Sequence, residues 1–322
     1  MVSKIPLVSI VLGTRPEAIK LAPVIKAFKN CHMIETRIIL TGQHNEMVKQ
    51  VMELFNLDAN NNLNIMQENQ SLTHITCSIL EGLKKDFQKY RPNLILVQGD
   101  TSTAFASALS AFYEKIPIGH IEAGLRTDNL NNPFPEEANR RLISQISSLH
   151  FAPTNESKAN LINSGVTGLI EVTGNTVIDS LFMNLEKAQT PDYSGITLTS
   201  EKLIFVSVHR RENWGNNLED IILGLNLILK EFKDTKIILP MHLNPIVRNP
   251  LLRSFKNNKN VILTEPLDYL DLIGTIKNCK LLLTDSGGLQ EEAPALGKPV
   301  LVLRKTTERP EAIKAGTAKL IG

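Results

Sequence analysis

Short apolar runs alternate with segments of helical spacing along almost the whole of this chain, and no other feature constrains its fold as tightly. Ser9–Leu12, Thr36–Leu40, Leu94–Gln98, Pro117–Ile121, Leu149–Phe151 and Leu169–Val172 read as strands. Between them, Ala18–Asn30, Asn45–Phe55, Leu72–Tyr90, Ser102–Glu114, Glu136–Ser147 and Glu156–Asn163 read as helices. Strands that are apolar throughout are buried on both faces, which implies a parallel sheet flanked by helices. The polar segment Ala188–Ser200, with Pro191 and Gly195, interrupts the rhythm and reads as a hinge. The alternation then restarts, with strands at Leu203–Val208, Lys236–Pro240, Val261–Leu263, Lys280–Thr284 and Val300–Leu303. The expected architecture is α/β: a Rossmann-like domain over 1–187, a hinge over 188–200 and a second Rossmann-like domain over 201–322. The two doubly wound domains are expected to face each other across a cleft, with ligands beyond the carboxyl ends of the strands.

Composition narrows the partners. The 35 basic and 33 acidic side chains leave a formal charge of +2, too balanced to argue for nucleic acid or a membrane surface. Ile5–Leu12 is too short to span a bilayer and lacks a small-residue cleavage site. Cys31, Cys77 and Cys279 are odd in number, far apart and without zinc spacing, as reduced thiols of a cytoplasmic protein would be.

The residues that follow each strand carry the chemistry. Gly13-Thr14-Arg15-Pro16-Glu17 joins a strand to a helix, with Pro16 suited to the first helical position and free backbone N–H groups suited to an anion. Asp100 and Glu122 follow the next inner strands, and Glu136 opens a helix with Arg140 one turn on. Three carboxylates on one rim, beside Arg15 and Arg140, form a candidate acid–base set, since like charges push one another's pKa values apart. In the second half, His209 and Arg210 follow one strand and His242 another. Asp285-Ser286-Gly287-Gly288 opens the helix bearing Glu292, a turn suited to phosphate, with the glutamate available to ribose hydroxyls. The histidines and acids lack metal-binding spacing. Neither a G-x-G-x-x-G fingerprint nor a G-x-x-x-x-G-K-[ST] loop is present. No metal site and no nicotinamide cofactor are expected from these patterns.

Taken in order, these motifs resemble a known family. Gly13-Thr14-Arg15-Pro16-Glu17, Thr41-Gly42-Gln43-His44, Gly99-Asp100-Thr101, His120-Ile121-Glu122-Ala123-Gly124-Leu125-Arg126-Thr127 and Pro135-Glu136-Glu137-Ala138-Asn139-Arg140 carry the first half of the likeness. His209-Arg210-Arg211-Glu212-Asn213, His242-Leu243-Asn244-Pro245, the run from Thr284 to Pro294, and Thr306-Thr307-Glu308-Arg309-Pro310-Glu311 carry the second. The set is similar to the non-hydrolysing UDP-N-acetylglucosamine 2-epimerases. That resemblance implies a GT-B-like fold, a cytoplasmic homodimer and no cofactor. The implied reaction interconverts UDP-N-acetylglucosamine and UDP-N-acetylmannosamine, by anti elimination of UDP to a 2-acetamidoglucal and re-addition, for cell-surface polysaccharide synthesis.

By the same resemblance, Asp100, Glu122 and Glu136 match the acid–base carboxylates, with their individual roles unassigned, and His209 joins them in catalysis. Arg15, Lys20, Arg140, Ser286, Gly287, Gly288 and Glu292 match the substrate-binding set. Gln43, His44, Gln70, Arg210 and His242 match a second, regulatory UDP-N-acetylglucosamine site. The chain departs from the family pattern at Leu272, Asn69, Gln98, Asn131 and Asn132. Family members also continue past the position of Gly322 into a last helix that crosses back to the first domain, so a shortened second domain is expected. Two other readings stay open on the residues: a GT-B glycosyltransferase using a UDP-sugar, and a nucleotide-sugar-binding protein without turnover. A hydrolysing variant fits less well, because the first motif reads Gly-Thr-Arg-Pro-Glu.

Overall fold

The computed structural model describes residues 5–43, 45–67, 70–193 and 202–322. The chain divides into two compact units, Met1–Ser180 and Leu181–Gly322. In the first, strands β1 (Leu7–Leu12), β2 (Glu35–Leu40), β3 (Asn61–Asn62), β4 (Leu94–Gln98), β5 (Ile118–Ile121), β6 (Leu149–Ala152) and β7 (Leu169–Val172) form one parallel sheet. Its spatial order is β3-β2-β1-β4-β5-β6-β7. Helices α1 (Arg15–Lys29), α2 (Asn45–Leu54), α3 (Leu72–Lys89), α4 (Ser102–Tyr113), α5 (Glu136–Ile146), α6 (Asn155–Asn163) and α7 (Thr176–Asn184) connect or follow the strands. Ile10, Val11, Leu12, Ile95, Leu96 and Val97 are all buried, as the continuous apolar runs require. One core is packed between the sheet and the inner faces of α3 and α4, from Ile75, Ile79, Leu83, Phe87, Ala104 and Ala108.

The second unit repeats the plan. Strands β8 (Leu203–Ser207), β9 (Lys236–Pro240), β10 (Val261–Thr264), β11 (Leu281–Thr284), β12 (Val300–Val302) and β13 (Ala318–Leu320) lie in the order β10-β9-β8-β11-β12-β13, again parallel. Helices α8 (Asn216–Glu231), α9 (Pro245–Phe255), α10 (Tyr269–Asn278), α11 (Leu289–Ala295) and α12 (Pro310–Lys314) accompany them. Separate cores fill the two faces of this sheet, one around Leu225, Leu251 and Phe255 and the other around Phe205, Ile276 and Leu282.

Each sheet reverses its strand order once, at β1/β4 and at β8/β11. These are the topological switch points where doubly wound sheets bind ligands. At the first, Gly13 is backed by Thr41 and Thr103, whose hydroxyls are 3.2 Å apart; a Cβ there would overlap both. Glu17, in the first turn of α1, reaches back to accept the backbone N–H groups of Gly13 and Thr14, each at 2.7 Å. The N-terminus of α1 is thereby closed by its own side chain.

Some elements escape the apolar pattern. β3 is two asparagines, held by the Asn61 amide donating to Asp86 at 2.7 Å and by ladder bonds to β2. α7, α12 and β13 are also absent from the sequence reading. Of the polar segment 188–200, residues 194–200 lie outside the described residues. Its first part packs on α10: the Tyr193 hydroxyl is 2.8 Å from that of Thr275, and Thr190 donates to the Gly274 carbonyl at 3.2 Å.

Candidate functional site

At the first switch point, Glu122 follows β5 in a left-handed conformation, with φ at 62°. The residue is 7% exposed and its carboxylate is ion-paired with Lys20, whose Nζ lies 2.7 Å from Oε1 and 2.6 Å from Oε2. Asn175 donates to Oε1 at 2.7 Å and Gln98 to Oε2 at 2.5 Å. Lys20, expected as a substrate contact, is thus ion-paired with Glu122 in this structure. Asp100 follows β4 after Gly99, where φ is +71°. Arg140 grips it from α5, Nε donating to Oδ2 at 3.0 Å and Nη2 to the same oxygen at 2.5 Å. The Asn139 amide donates to the Asp100 carbonyl at 2.8 Å. Arg15 opens α1 and Glu136 opens α5, both half-buried.

Behind these residues stand groups that motif reading passes over. Glu137 is fully buried and accepts Arg140 at 2.8 Å, Arg141 at 2.7 Å and the Thr127 backbone amide at 3.0 Å. It fixes the arginine that grips Asp100. His120, fully buried, shares a 2.7 Å hydrogen bond between Nε2 and the Gly99 carbonyl; because the carbonyl can only accept, Nε2 carries the proton. Burial lowers the His120 pKa to about 4, keeping the ring neutral. Burial also raises the pKa of Glu17, against the hydrogen bonds from Thr101 and the two backbone amides.

At the second switch point, Asp285 is fully buried beyond β11. It accepts the backbone amides of His209, at 3.1 and 3.0 Å, and of Arg210, at 2.9 Å, and the Asn213 side-chain amide at 2.9 Å. The His209 ring turns its Nδ1 to Asp285 Oδ1 at 3.2 Å, while 40% of the side chain stays exposed. Desolvation lowers the His209 pKa, and the Asp285 charge opposes that shift. His242, 6.5 Å from the Trp214 ring, is lowered in the same way. Ser286 donates its backbone N–H to Thr284 Oγ1 at 3.0 Å. A Cβ on Gly287 would lie 2.6 Å from Arg309 Nη1 and 3.0 Å from Glu308 Oε1, so a larger residue would have to displace that ion pair. Glu292, on α11, accepts the Tyr269 hydroxyl at 3.1 Å.

Beneath the turn runs a chain of ion pairs. Arg304 donates to Glu212 at 2.6 Å and to Glu308 at 2.7 Å; Arg309 donates to Glu308 at 2.6 Å and also to Glu291. Arg210 lies 3.8 Å from Glu308. Of the regulatory set, Gln43 accepts the Thr103 hydroxyl at 2.8 Å, and the Gln70 side chain accepts the Gln67 backbone amide at 3.3 Å. His44 lies outside the described residues.

A family model described as UDP-N-acetylglucosamine 2-epimerase matches residues 26–322. The chain belongs to the UDP-N-acetylglucosamine 2-epimerase family. It is 48% identical, over 97% of its length and 86% of the relative's, to the UDP-N-acetylglucosamine 2-epimerase of Neisseria meningitidis serogroup A. It is 47% identical, over 97% and 85%, to that of Escherichia coli K12. Among solved 2-epimerases, the N. meningitidis enzyme bound to UDP-GlcNAc matches with a TM-score of 0.92 at 48% identity, covering 98% of this chain and 87% of that one. The Methanocaldococcus jannaschii 2-epimerase, solved with UDP-GlcNAc and UDP, matches at 0.86 and 38% identity, covering 98% and 89%. A kitacinnamycin glycotransferase shares only the fold, at a TM-score of 0.60 and 9% identity. In this 2-epimerase family member, no group of three His, Cys, Asp or Glu among the described residues is placed to hold a metal ion. No helix among them is long and apolar enough to cross a membrane.

Proposed function

We propose that this chain interconverts UDP-N-acetylglucosamine and UDP-N-acetylmannosamine at C2 of the sugar. The observation that carries the reading is family membership along nearly the whole chain, with 2-epimerase relatives solved holding UDP-GlcNAc. The C2 hydrogen of the substrate is not acidic, because no carbonyl flanks that carbon suitably. Elimination avoids the difficulty. A carboxylate takes the C2 proton, the C–H electron pair forms the C1–C2 double bond, and the C1–O bond breaks with its electrons going to the β-phosphate of UDP. Re-addition of the UDP oxygen to C1, with a proton delivered to the other face of C2, gives the epimer.

Two demands follow, and the chain has groups for each. Proton removal and return on opposite faces require at least two acid–base groups, which Asp100, Glu122 and Glu136 supply. Charge growing on the diphosphate requires fixed donors, which Arg15, Arg140, His209 and the Ser286–Gly288 turn supply. With Nδ1 3.2 Å from Asp285, His209 presents Nε2; desolvation lowers its pKa, and the negative charges of Asp285 and of the diphosphate together favour the protonated ring that stabilises the departing anion. Glu292 takes the ribose hydroxyls. Keeping water from the glucal requires a site shut off from solvent while the glucal exists. In this reading the enzyme is a cytoplasmic homodimer, its product feeds cell-surface polysaccharide synthesis, and Gln43, His44, Gln70, Arg210 and His242 bind a second, regulatory UDP-N-acetylglucosamine.

The test is turnover of UDP-N-acetylglucosamine in deuterated water. The expected product is the manno epimer, still joined to UDP, with deuterium at C2. Asp100→Asn, Glu122→Gln and Glu136→Gln should each slow it by roughly 10²- to 10⁴-fold. Sugar transfer to an acceptor without C2 exchange, or tight UDP binding without turnover, would replace this reading with one of the two alternatives.

A further inference from the structure

We propose that Gln98 and Asn175 are positioning residues for Glu122, which together with Lys20 hold its carboxylate ionised and immobile. The kinetic consequence rests on the epimerase reading; the charge state rests on geometry alone.

An ionised carboxylate has about four acceptor sites. In Glu122 four contacts meet them: Lys20 Nζ at 2.7 Å and Asn175 Nδ2 at 2.7 Å on Oε1, Lys20 Nζ at 2.6 Å and Gln98 Nε2 at 2.5 Å on Oε2. Protonating Glu122 would set an O–H against a donor already in place, so each contact favours the charged form. The donors come from three separate elements. Lys20 is on α1, Gln98 is the last residue of β4, and Asn175 stands just before α7, its own Oδ1 accepting the Val177 amide at 3.1 Å. Neither amide can titrate, so two of the three donor groups persist across the whole working pH range.

The backbone supports the same conclusion. A left-handed φ of 62° at a glutamate is uncommon, and such strain persists where the surroundings over-determine the position. Asp100 differs. Both Arg140 contacts fall on Oδ2, and among the described residues no donor reaches Oδ1, on a side chain that is 25% exposed. Asp100 therefore keeps an open oxygen for a moving proton, while Glu122, after the neighbouring strand β5, is held in the ionised form that a base must have before it takes one.

The test uses Gln98→Leu and Asn175→Leu. Each should lower kcat on the order of 100-fold while KM stays within about twofold, because a bound substrate meets a misplaced charge. The acid limb of kcat should move to higher pH, because a Glu122 stripped of one donor protonates more readily. Unchanged kcat and acid limb in both variants would overturn the proposal. A second measurement needs no activity. In protein carrying ¹³C at glutamate side-chain carboxyls, the Glu122 signal, identified by its loss in Glu122→Gln, should stay at the ionised position between about pH 5 and 8. In Gln98→Leu it should titrate. Titration of wild-type Glu122 in that range sinks the proposal whether or not the chain epimerises, whereas failure of the wild type to epimerise sinks only the functional reading.

Discussion

Asp285 holds His209 twice over, accepting its backbone amide on both carboxylate oxygens and facing its ring Nδ1 at 3.2 Å. One buried carboxylate thus sets both the path of the loop after β8 and the ring nitrogen that points away from the protein. Asp285→Asn keeps the shape and removes the charge. It should lower kcat/KM by roughly 10²- to 10⁴-fold. Asp285 raises the His209 pKa against desolvation, so its neutralisation should move the His209 limb of the pH–rate profile to lower pH. A profile that does not move would detach His209 from Asp285.

Glu137 anchors Arg140, Arg141 and the Thr127 amide from a fully buried position. Glu137→Ala removes one of the two carboxylates that grip the buried Arg140 guanidinium, leaving Asp100, and a broken buried pair costs about 3–5 kcal/mol. Denaturant unfolding should record a loss of that size, and activity should fall as Asp100 loses a fixed Arg140. A stability within about 1 kcal/mol of wild type would show the network to be dispensable.

Gly13→Ala should destabilise the first unit by about 1–3 kcal/mol, because the added methyl meets the hydroxyls of Thr41 and Thr103, which are packed and cannot both withdraw. Thermal unfolding checks it, and pairing the substitution with Thr103→Ala should recover part of the loss.

His120 predicts a pH dependence of stability. Its pKa is about 4 in the fold against 6.5 for an ordinary histidine. A lowered pKa means the folded state prefers the neutral ring. The contribution is therefore full above about pH 6.5, and it is lost as pH falls towards about 4. That separation corresponds to roughly 3 kcal/mol. Urea midpoints measured across this range should fall more steeply with acid in wild type than in His120→Gln. Parallel curves would contradict it.

How much of this was legible beforehand varies with the kind of residue. Gly13, Asp100, Glu122 and His209 stand at strand ends beside small or charged neighbours, which marks them in a linear reading. Asp285 stood inside a recognised motif, yet reads there as the lead-in to a glycine turn. Its partners, His209, Arg210 and Asn213, lie more than 70 residues earlier. Gln98 and Asn175 carry no charge, and Asn175 reads at most as the cap of α7, so only their meeting at Glu122 reveals what they hold. Lys20 reads as a cation for substrate, and its ion pair with Glu122 is visible only in the fold.

The chain by itself determined most of its elements, β3, α7, α12 and β13 aside, its two parallel α/β units and the strand ends where polar groups gather. The spacing of apolar residues is a local property, and a run buried on both faces must find a sheet with helices on either side. Tertiary structure decided the strand order, and with it the switch points at β1/β4 and β8/β11. It also decided the pairing of charges. Which carboxylate meets which cation depends on elements distant in sequence arriving at one sheet edge, and that arrival is set by packing against the core rather than by any residue's neighbours along the chain.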